Sequence, residues 1–459
     1  MHVGKNRAGK LLNLTEGPIL PVLTRLALPI MASSFLSTAY NLTDMVWIGM
    51  LGAKAVAGIG VGGMYVWLSQ GLSALCRMGG QVNAGQCLGR GDRASAGQYA
   101  LASMQLVTLL GVIYSCLCLL FPDMLLSVFE LEDPVTAQHA KIYMMITCGG
   151  ILFSYLNTTL TGLYTAQGDS RTPLVANMAG LVLNMVLDPV LILGAGIFPR
   201  LEVVGAAVAT VFAQAVVLLV MLFAMKKDNL LRQTPLFQLP AWCYFGKIFK
   251  LGIPTAVQST LYCAISMVLT RIISPFGEGA IAVQRVGGQI ESLTWNTADG
   301  FGAAMNAFAA QNYGAGKPGR IRKGYHMSAI TMALWGAVIG IAFILVPEPI
   351  STMFFHEPEM IPQSVAYFMI LSISEPFLCV ELLAVGAMSG LGRTKECSLI
   401  SVLLTGLRIP IAGCLTQTGL GVEGVWWALT LTSVAKGIIL HFAFYRQVNK
   451  VKEDCTIQV

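Results

Sequence analysis

Long apolar runs, separated by short connections rich in basic or turn-forming residues, make up most of the chain. Taking about 20 apolar residues per bilayer crossing, the pattern predicts twelve spans. They fall at roughly 20–45, 53–80, 95–121, 138–162, 173–195, 203–225, 248–273, 279–308, 325–347, 362–388, 397–417 and 423–445. The runs are continuous and do not alternate over ~10 residues, as the strands of a membrane barrel would. The remaining way to satisfy a backbone in hydrocarbon is the helix. The expected fold class is all-α integral membrane.

The pattern also repeats. The segment LALP ending at Pro29 returns as LGIP ending at Pro254, 225 residues later. QCLGRG, starting at Gln86, returns as QNYGAG from Gln311, and Pro122 and Phe129 return as Pro347 and Phe354, all at that offset. GDSRT at Gly168 matches GRTK at Gly392, offset 224, and Gly205 matches Gly424, offset 219. Two six-helix lobes related by an internal pseudo-two-fold repeat follow. The N-terminal lobe is expected at 1–225, a cytoplasmic linker at 226–247 and the C-terminal lobe at 248–459. Such duplication is a signature of secondary transporters.

Composition sharpens this. Only 11% of residues are charged and 55% are hydrophobic, where a soluble chain carries about 25% charged residues. Of the 29 basic residues, twenty lie at the termini or in even-to-odd connections, among them Lys5, Lys226 and Arg322. The opposite connections hold Lys54, Lys141 and Arg200. This asymmetry places both termini in the cytoplasm. It also explains the net charge of +6 as topology, with no nucleic-acid partner. No cleavable signal peptide is read, because the first apolar run is too long for one. The 11 cysteines show neither metal-ligand spacing nor a secreted disulfide framework.

The candidate chemistry centres on Asp44, in the stretch SSFLSTAYNLTDMVWI. Ser37, Asn41 and Asp44 form one polar stripe on a helix. An intramembrane carboxylate costs ~2.5–3.5 kcal/mol on insertion scales, so it normally faces a protein cavity and handles protons or ions. The other reading is a wetted, inert Asp44 at the outer helix end. Pro29 removes a backbone hydrogen bond and invites a bend. In the fifth span, Asn184 and Asp188 lie one turn apart and can jointly hold a proton or a hard cation. Alternatively, Asp188 caps a helix broken at Pro189. Thr210, in GAAVAT, offers a hydroxyl ligand or simply bonds its own helix.

The run GIGVGG from Gly58 to Gly63 follows no strand, so it reads as packing glycines and not as a nucleotide loop. No P-loop, HExxH or GxSxG pattern is present, which argues against an ATP-driven pump and against a common hydrolase. A membrane-embedded enzyme would need a catalytic set such as paired acids, which Asp44 and Asp188 offer in principle, but the duplicated halves favour transport. In the second half, Arg271, Arg285, Glu291, Asp299, Glu375, Glu381, Arg408 and Lys436 fall within or near spans. Most are expected to pair with one another. Glu375, followed by Pro376, is the best functional candidate among them. His326 and His356 lie at span ends and receive no role.

The pieces LALPIM, YNLTDMVWIGMLG, AQGDSRTP, NMVLDP and GAAVAT stand in an order that resembles the bacterial multidrug and toxic compound extrusion (MATE) family. YNLTD and NMVLDP resemble its DinF-like branch more than its NorM-like branch. The resemblance implies a secondary active antiporter in the bacterial cytoplasmic membrane. It would export organic, often cationic and amphipathic, drugs or metabolites by alternating access, driven by proton or sodium entry. It implies Asp44 as the protonation site and Pro29 as the bend in the first helix. Asn184, Asp188 and Thr210 would complete a pocket that could also take Na+. Tyr40, Asn41 and Glu375 are further candidate contacts for substrate or ion. The seventh-span stretch LGIPTAVQSTLYCAIS lacks the acid of the NorM-like branch, which argues against sodium coupling through a C-lobe site. No cofactor beyond H+ or Na+ is implied. The expected partners are small organic molecules and the bilayer, and the expected state is a monomer. The alternative within the superfamily is a lipid-linked precursor flippase, though those resemble chains of about fourteen spans. A channel would need a filter motif, and none is present.

Overall fold

The structure, a computed structural model, describes residues 12–457 apart from 130, 132, 195–198, 226–229, 234–239, 356 and 358. The side chains of 40–42, 53, 233 and 452–457 are also outside the described residues. His356 and the side chains of Tyr40 and Asn41 therefore lie outside them.

Among the described residues every regular element is helical. The crossings are Ile19–Gly49, Ala53–Gly89, Arg93–Leu120, a fourth made of Pro134–Gly149 and Ile151–Ala166, then Arg171–Leu193 and Glu202–Phe223. The second half runs Trp242–Ile273, Glu278–Gly314, Pro318–Leu345, a tenth made of Met360–Ser372 and Glu375–Gly390, an eleventh made of Thr394–Gly406 and Arg408–Leu415, and Glu423–Ile457. Nine of these crossings, the eleventh with its two pieces taken together, are each long and apolar enough to span a membrane among the described residues, and the tenth joins them as a pair bent by 51°. The fourth crossing is halved at Gly150, and the eighth is diluted by Arg285, Glu291 and Asp299.

Hydropathy placed the ends of the second and eighth spans too early. The second runs on to Gly89 through Gln81, Asn83 and Gln86, and the eighth to Gly314 through Asn306, Gln311 and Asn312. All six of these polar side chains are buried. The extensions are polar yet packed, and an apolar window cannot see that.

The duplication is written into the backbone. Gly52 and Gly277 take φ of 90° and 96°, Gly91 and Gly316 81° and 65°, and Gly194 and Gly419 76° and 87°, each pair 225 residues apart. Gly168 and Gly392 follow at 81° and 77°. L-residues with a side chain rarely adopt this region, so each half keeps glycine where the chain turns. At Gly168 the turn runs straight into a cap: the Asp169 carboxylate accepts from the amides of Arg171 and Thr172 and from the Thr172 hydroxyl.

The chain divides into two compact units. One holds Leu28–Gly252 with the N-terminal segment up to Gly17, and the other holds Pro18–Ala27 and Ile253–Val459. The divisions thus fall inside the first and seventh helices, two residues ahead of Pro29 and Pro254. Both helices are continuous through their proline.

Within the first unit, Gly58 and Gly62 sit against the fourth crossing. A Cβ on them would lie 2.9 Å from the Thr136 carbonyl and 2.8 Å from that of Ala140, whereas Gly60 faces open space. These glycines serve close packing. The connection between halves was expected as a plain loop, but its described part includes a helical turn, Leu230–Gln233. Leu230 and Leu231 are buried there, and the Leu230 amide donates to Gln167 Oε1 at 3.1 Å. The apolar pair docks what composition marks as linker.

In the second unit the core gathers around fully buried Trp426, with Tyr367, Phe368 and Phe343. The Trp426 and Tyr367 rings meet edge to face at 5.3 Å. The ninth span presses against the break in the tenth through Gly336 and Gly340, whose added Cβ atoms would come within 2.6 Å of the Glu375 and Ser372 carbonyls. Backbone cannot yield as a side chain does, and overpacking typically costs about 1–3 kcal/mol. Gly336→Val is therefore expected to lower the thermal midpoint of detergent-purified protein, measured by size-exclusion after heating. Gly319→Ala, where a Cβ meets nothing within 4 Å, is the neutral control.

Candidate functional site

The first and fifth crossings are both odd-numbered, so they run the same way through the membrane. Their polar residues are spaced alike. Asp44 lies eleven residues beyond Ser33, and Asp188 eleven beyond Asn177, about 16 Å along each axis. The structure joins the first members of the two sets, with Asn177 Nδ2 donating to Ser33 Oγ at 2.8 Å. The second members come level as a consequence, and the Asp44 carboxyl lies within hydrogen-bonding reach of Asp188.

Asn184 completes the cluster by donating Nδ2–H to Asp188 Oδ1 at 2.6 Å. Asp188 has no exposed surface, Asn184 is buried and Asp44 is half-buried. Among the described residues, Asp44 Oδ1 and Asp188 Oδ2 accept no hydrogen bond. Two carboxylates at this separation, shielded from water, repel each other, and a proton or hard cation between them removes the repulsion. The free oxygens are where it would sit. Thr210 does not join in as a donor, because its hydroxyl hydrogen-bonds the Ala206 carbonyl of its own helix at 3.0 Å.

Two neighbours escaped the sequence reading. Tyr143, on the fourth crossing, packs with Ile48, Ile192 and Ala206 beside the acids, and its phenol feels the charge of both Asp44 and Asp188. Nothing in the spacing of its own span marks it. Trp47 lies three residues past Asp44 in the same apolar cluster, with a buried indole N–H that has no acceptor among the described residues. Its position at i+3 was the available signal.

The charges of the second unit separate into kinds. Lys436 Nζ and Glu381 Oε1 form a buried ion pair at 2.7 Å. Arg408 donates from Nε and Nη2 to the hydroxyls of Thr432 and Ser433, both at 2.9 Å. Tyr367 donates its hydroxyl to Glu291 Oε2 at 3.4 Å. Arg271 and Arg285 are exposed. Glu375 has no exposed surface, and neither oxygen has a hydrogen-bond partner among the described residues. It opens the second half of the broken tenth crossing, where the helix N-terminus favours an acid. The Thr294 hydroxyl and the Glu291 carboxyl are its polar neighbours.

Twelve crossings in two duplicated halves, with acids buried inside the bundles, have the architecture of a membrane transporter. The chain belongs to the MatE family, whose model matches residues 29–190 and 254–413, one segment in each half. It is 27% identical over 410 residues to the probable multidrug resistance protein NorM of Thermotoga maritima, covering 88% of this chain and 87% of that protein. It is 24% identical to the FAD transporter of Shewanella oneidensis, covering 96% and 97%. The fold matches a solved outward-facing multidrug resistance MATE family transporter of the MOP superfamily with a TM-score of 0.90, at 20% identity over 98% of this chain and all of that one. The protein is a multi-pass transporter of a bacterial inner membrane and not an enzyme.

Proposed function

We propose that this protein is a cation-coupled antiporter that exports organic, often cationic and amphipathic, compounds, driven by proton or sodium entry at Asp44 and Asp188. The observation that carries the reading is the meeting of those two carboxyls and Asn184 inside one helical unit. When ionised, the pair attracts a cationic substrate or the coupling ion. A proton arriving from outside removes the repulsion and changes which conformation is favoured. A ligand shifts a conformational equilibrium only through its different affinity for the two states, and a shared buried proton supplies such a difference.

Pro29 is the hinge in this reading. It leaves the Arg25 carbonyl without its helical donor and lies two residues beyond the point where the chain divides. Glu375 is a second protonation contact, in the other unit. The protein works as a monomer with both termini in the cytoplasm, in keeping with its basic connections. The name of the Shewanella relative adds flavin nucleotide to the cargo worth testing.

The test is transport in proteoliposomes under separately imposed pH and sodium gradients, with ethidium and FAD as cargo. Ethidium movement is expected to rise at least about tenfold when one of the two gradients is imposed, which corresponds to ~1.4 kcal/mol of coupling. Equal movement with and without both gradients overturns the antiport reading.

A further inference from the structure

The ninth span begins PGRIRKGYH. Gly319, Arg322, Lys323 and His326 recur at helical spacing and share one face. With Tyr445 of the twelfth span they line an open cleft of about 390 Å³. The cleft is arranged around the phenol. The Arg322 guanidinium lies 5.6 Å from the Tyr445 ring centre, and the Tyr445 hydroxyl lies 3.2 Å from His326 Nδ1. When that hydroxyl donates to Nδ1, the ring's Nε2 carries the hydrogen and is free to donate. Among the described residues neither Arg322 nor Lys323 has a carboxylate at ion-pair distance. The cleft is open above Gly319, where a Cβ would meet nothing within 4 Å.

The surroundings point to the occupant. Along the ninth span the face continues as exposed Ile330, Leu334 and Val338. On the twelfth, Phe442 and Ile438 are exposed one and two turns from Tyr445. Apolar tracks on both helices thus lead away from a cluster of cationic donors. Basic pockets between spans, at the end of a bundle that carries basic connections, suit anionic headgroups. We propose that this cleft holds a phosphate-bearing anion, the headgroup of an anionic phospholipid whose acyl chains lie along these exposed residues. Inorganic phosphate shares the chemistry but has nothing to place on the apolar tracks.

The experiment is native mass spectrometry of the full-length protein, delipidated in mild detergent and titrated with phosphatidylglycerol or phosphatidylcholine, with or without excess inorganic phosphate. Wild type is expected to retain phosphatidylglycerol preferentially. Arg322→Gln with Lys323→Gln should weaken retention about fivefold per charge removed. Gly319→Asp, which sets a carboxylate in the cleft without a clash, should weaken it comparably, as a second variant with an intact helix. Arg90→Gln with Arg93→Gln, an equal loss of exposed charge elsewhere, should leave retention near wild type. Equal retention in all variants, or equal loss in the control, overturns the proposal. Displacement of the lipid by inorganic phosphate overturns the lipid as the source and assigns the cleft to free phosphate. The readout is lipid binding, so its failure is distinct from any failure of the antiport reading.

Discussion

Asp44→Asn is expected to reduce gradient-driven export at least about tenfold, the loss of roughly 1.4 kcal/mol of coupling, while protein level and thermal midpoint stay near wild type. Asparagine has the shape of aspartic acid but its charge is fixed at zero. Its amide can donate to Asp188, as a protonated Asp44 would, so the cluster is held as if the proton never left. The repulsion that distinguishes the loaded from the empty site is then gone. Driving a two-state equilibrium from 1:99 to 99:1 takes about 5.5 kcal/mol, so losing even part of the proton's contribution should stall the cycle. Residual export should also depend less steeply on external pH. The measurements are ethidium efflux from cells and the same proteoliposome assay. Export within twofold of wild type, at equal protein level, would remove Asp44 from the mechanism. Asp188→Asn should behave alike, whereas Asn184→Ala removes one hydrogen bond and should act more weakly.

The sequence carried the architecture further than the site. Alternating apolar runs and basic connections reveal twelve crossings because hydrocarbon leaves the backbone no other choice. The offset of 225 reads out the duplication because the halves turn at the same places, and the positive-φ glycines Gly52 and Gly277 or Gly91 and Gly316 are those places. Even the breaks obey it, since Gly150 in the fourth crossing and Glu375 in the tenth are 225 apart. The carboxylates do not obey it. At the same offset Asp44 meets Leu269 and Asp188 meets Gly413. The repeat fixes the frame and leaves each half free to place its own charges.

Within the first half, Asp44 and Asp188 were each visible as a costly acid in an apolar run. Their meeting depends on the register between two helices more than a hundred residues apart, which no local spacing encodes. The same holds for Tyr143, which approaches from a third crossing. Thr210 shows the opposite case, where a local rule decided the outcome. A hydroxyl in a helix has a carbonyl four residues back within reach, and here it takes Ala206.

Lys436→Met is expected to be the most destabilising change in the second unit. Lys436 and Glu381 are both buried, and their side chains meet at 2.7 Å. Removing one partner of a buried pair leaves an uncompensated charge, at a cost of about 3–5 kcal/mol. Glu381 is poorly placed to absorb it, because its Oε2 already has no hydrogen bond among the described residues. Arg408 cannot substitute without abandoning Thr432 and Ser433. The thermal midpoint in detergent should fall by at least roughly 5 °C, scaled from soluble domains, with a matching loss of folded yield. Adding Glu381→Gln removes the stranded charge and should recover most of the loss, since an apolar or neutral replacement of both partners is often tolerated. The recovery separates the explanations. If the double variant stays as unstable as Lys436→Met alone, the lysine contributes through packing of its stem and not through the ion pair.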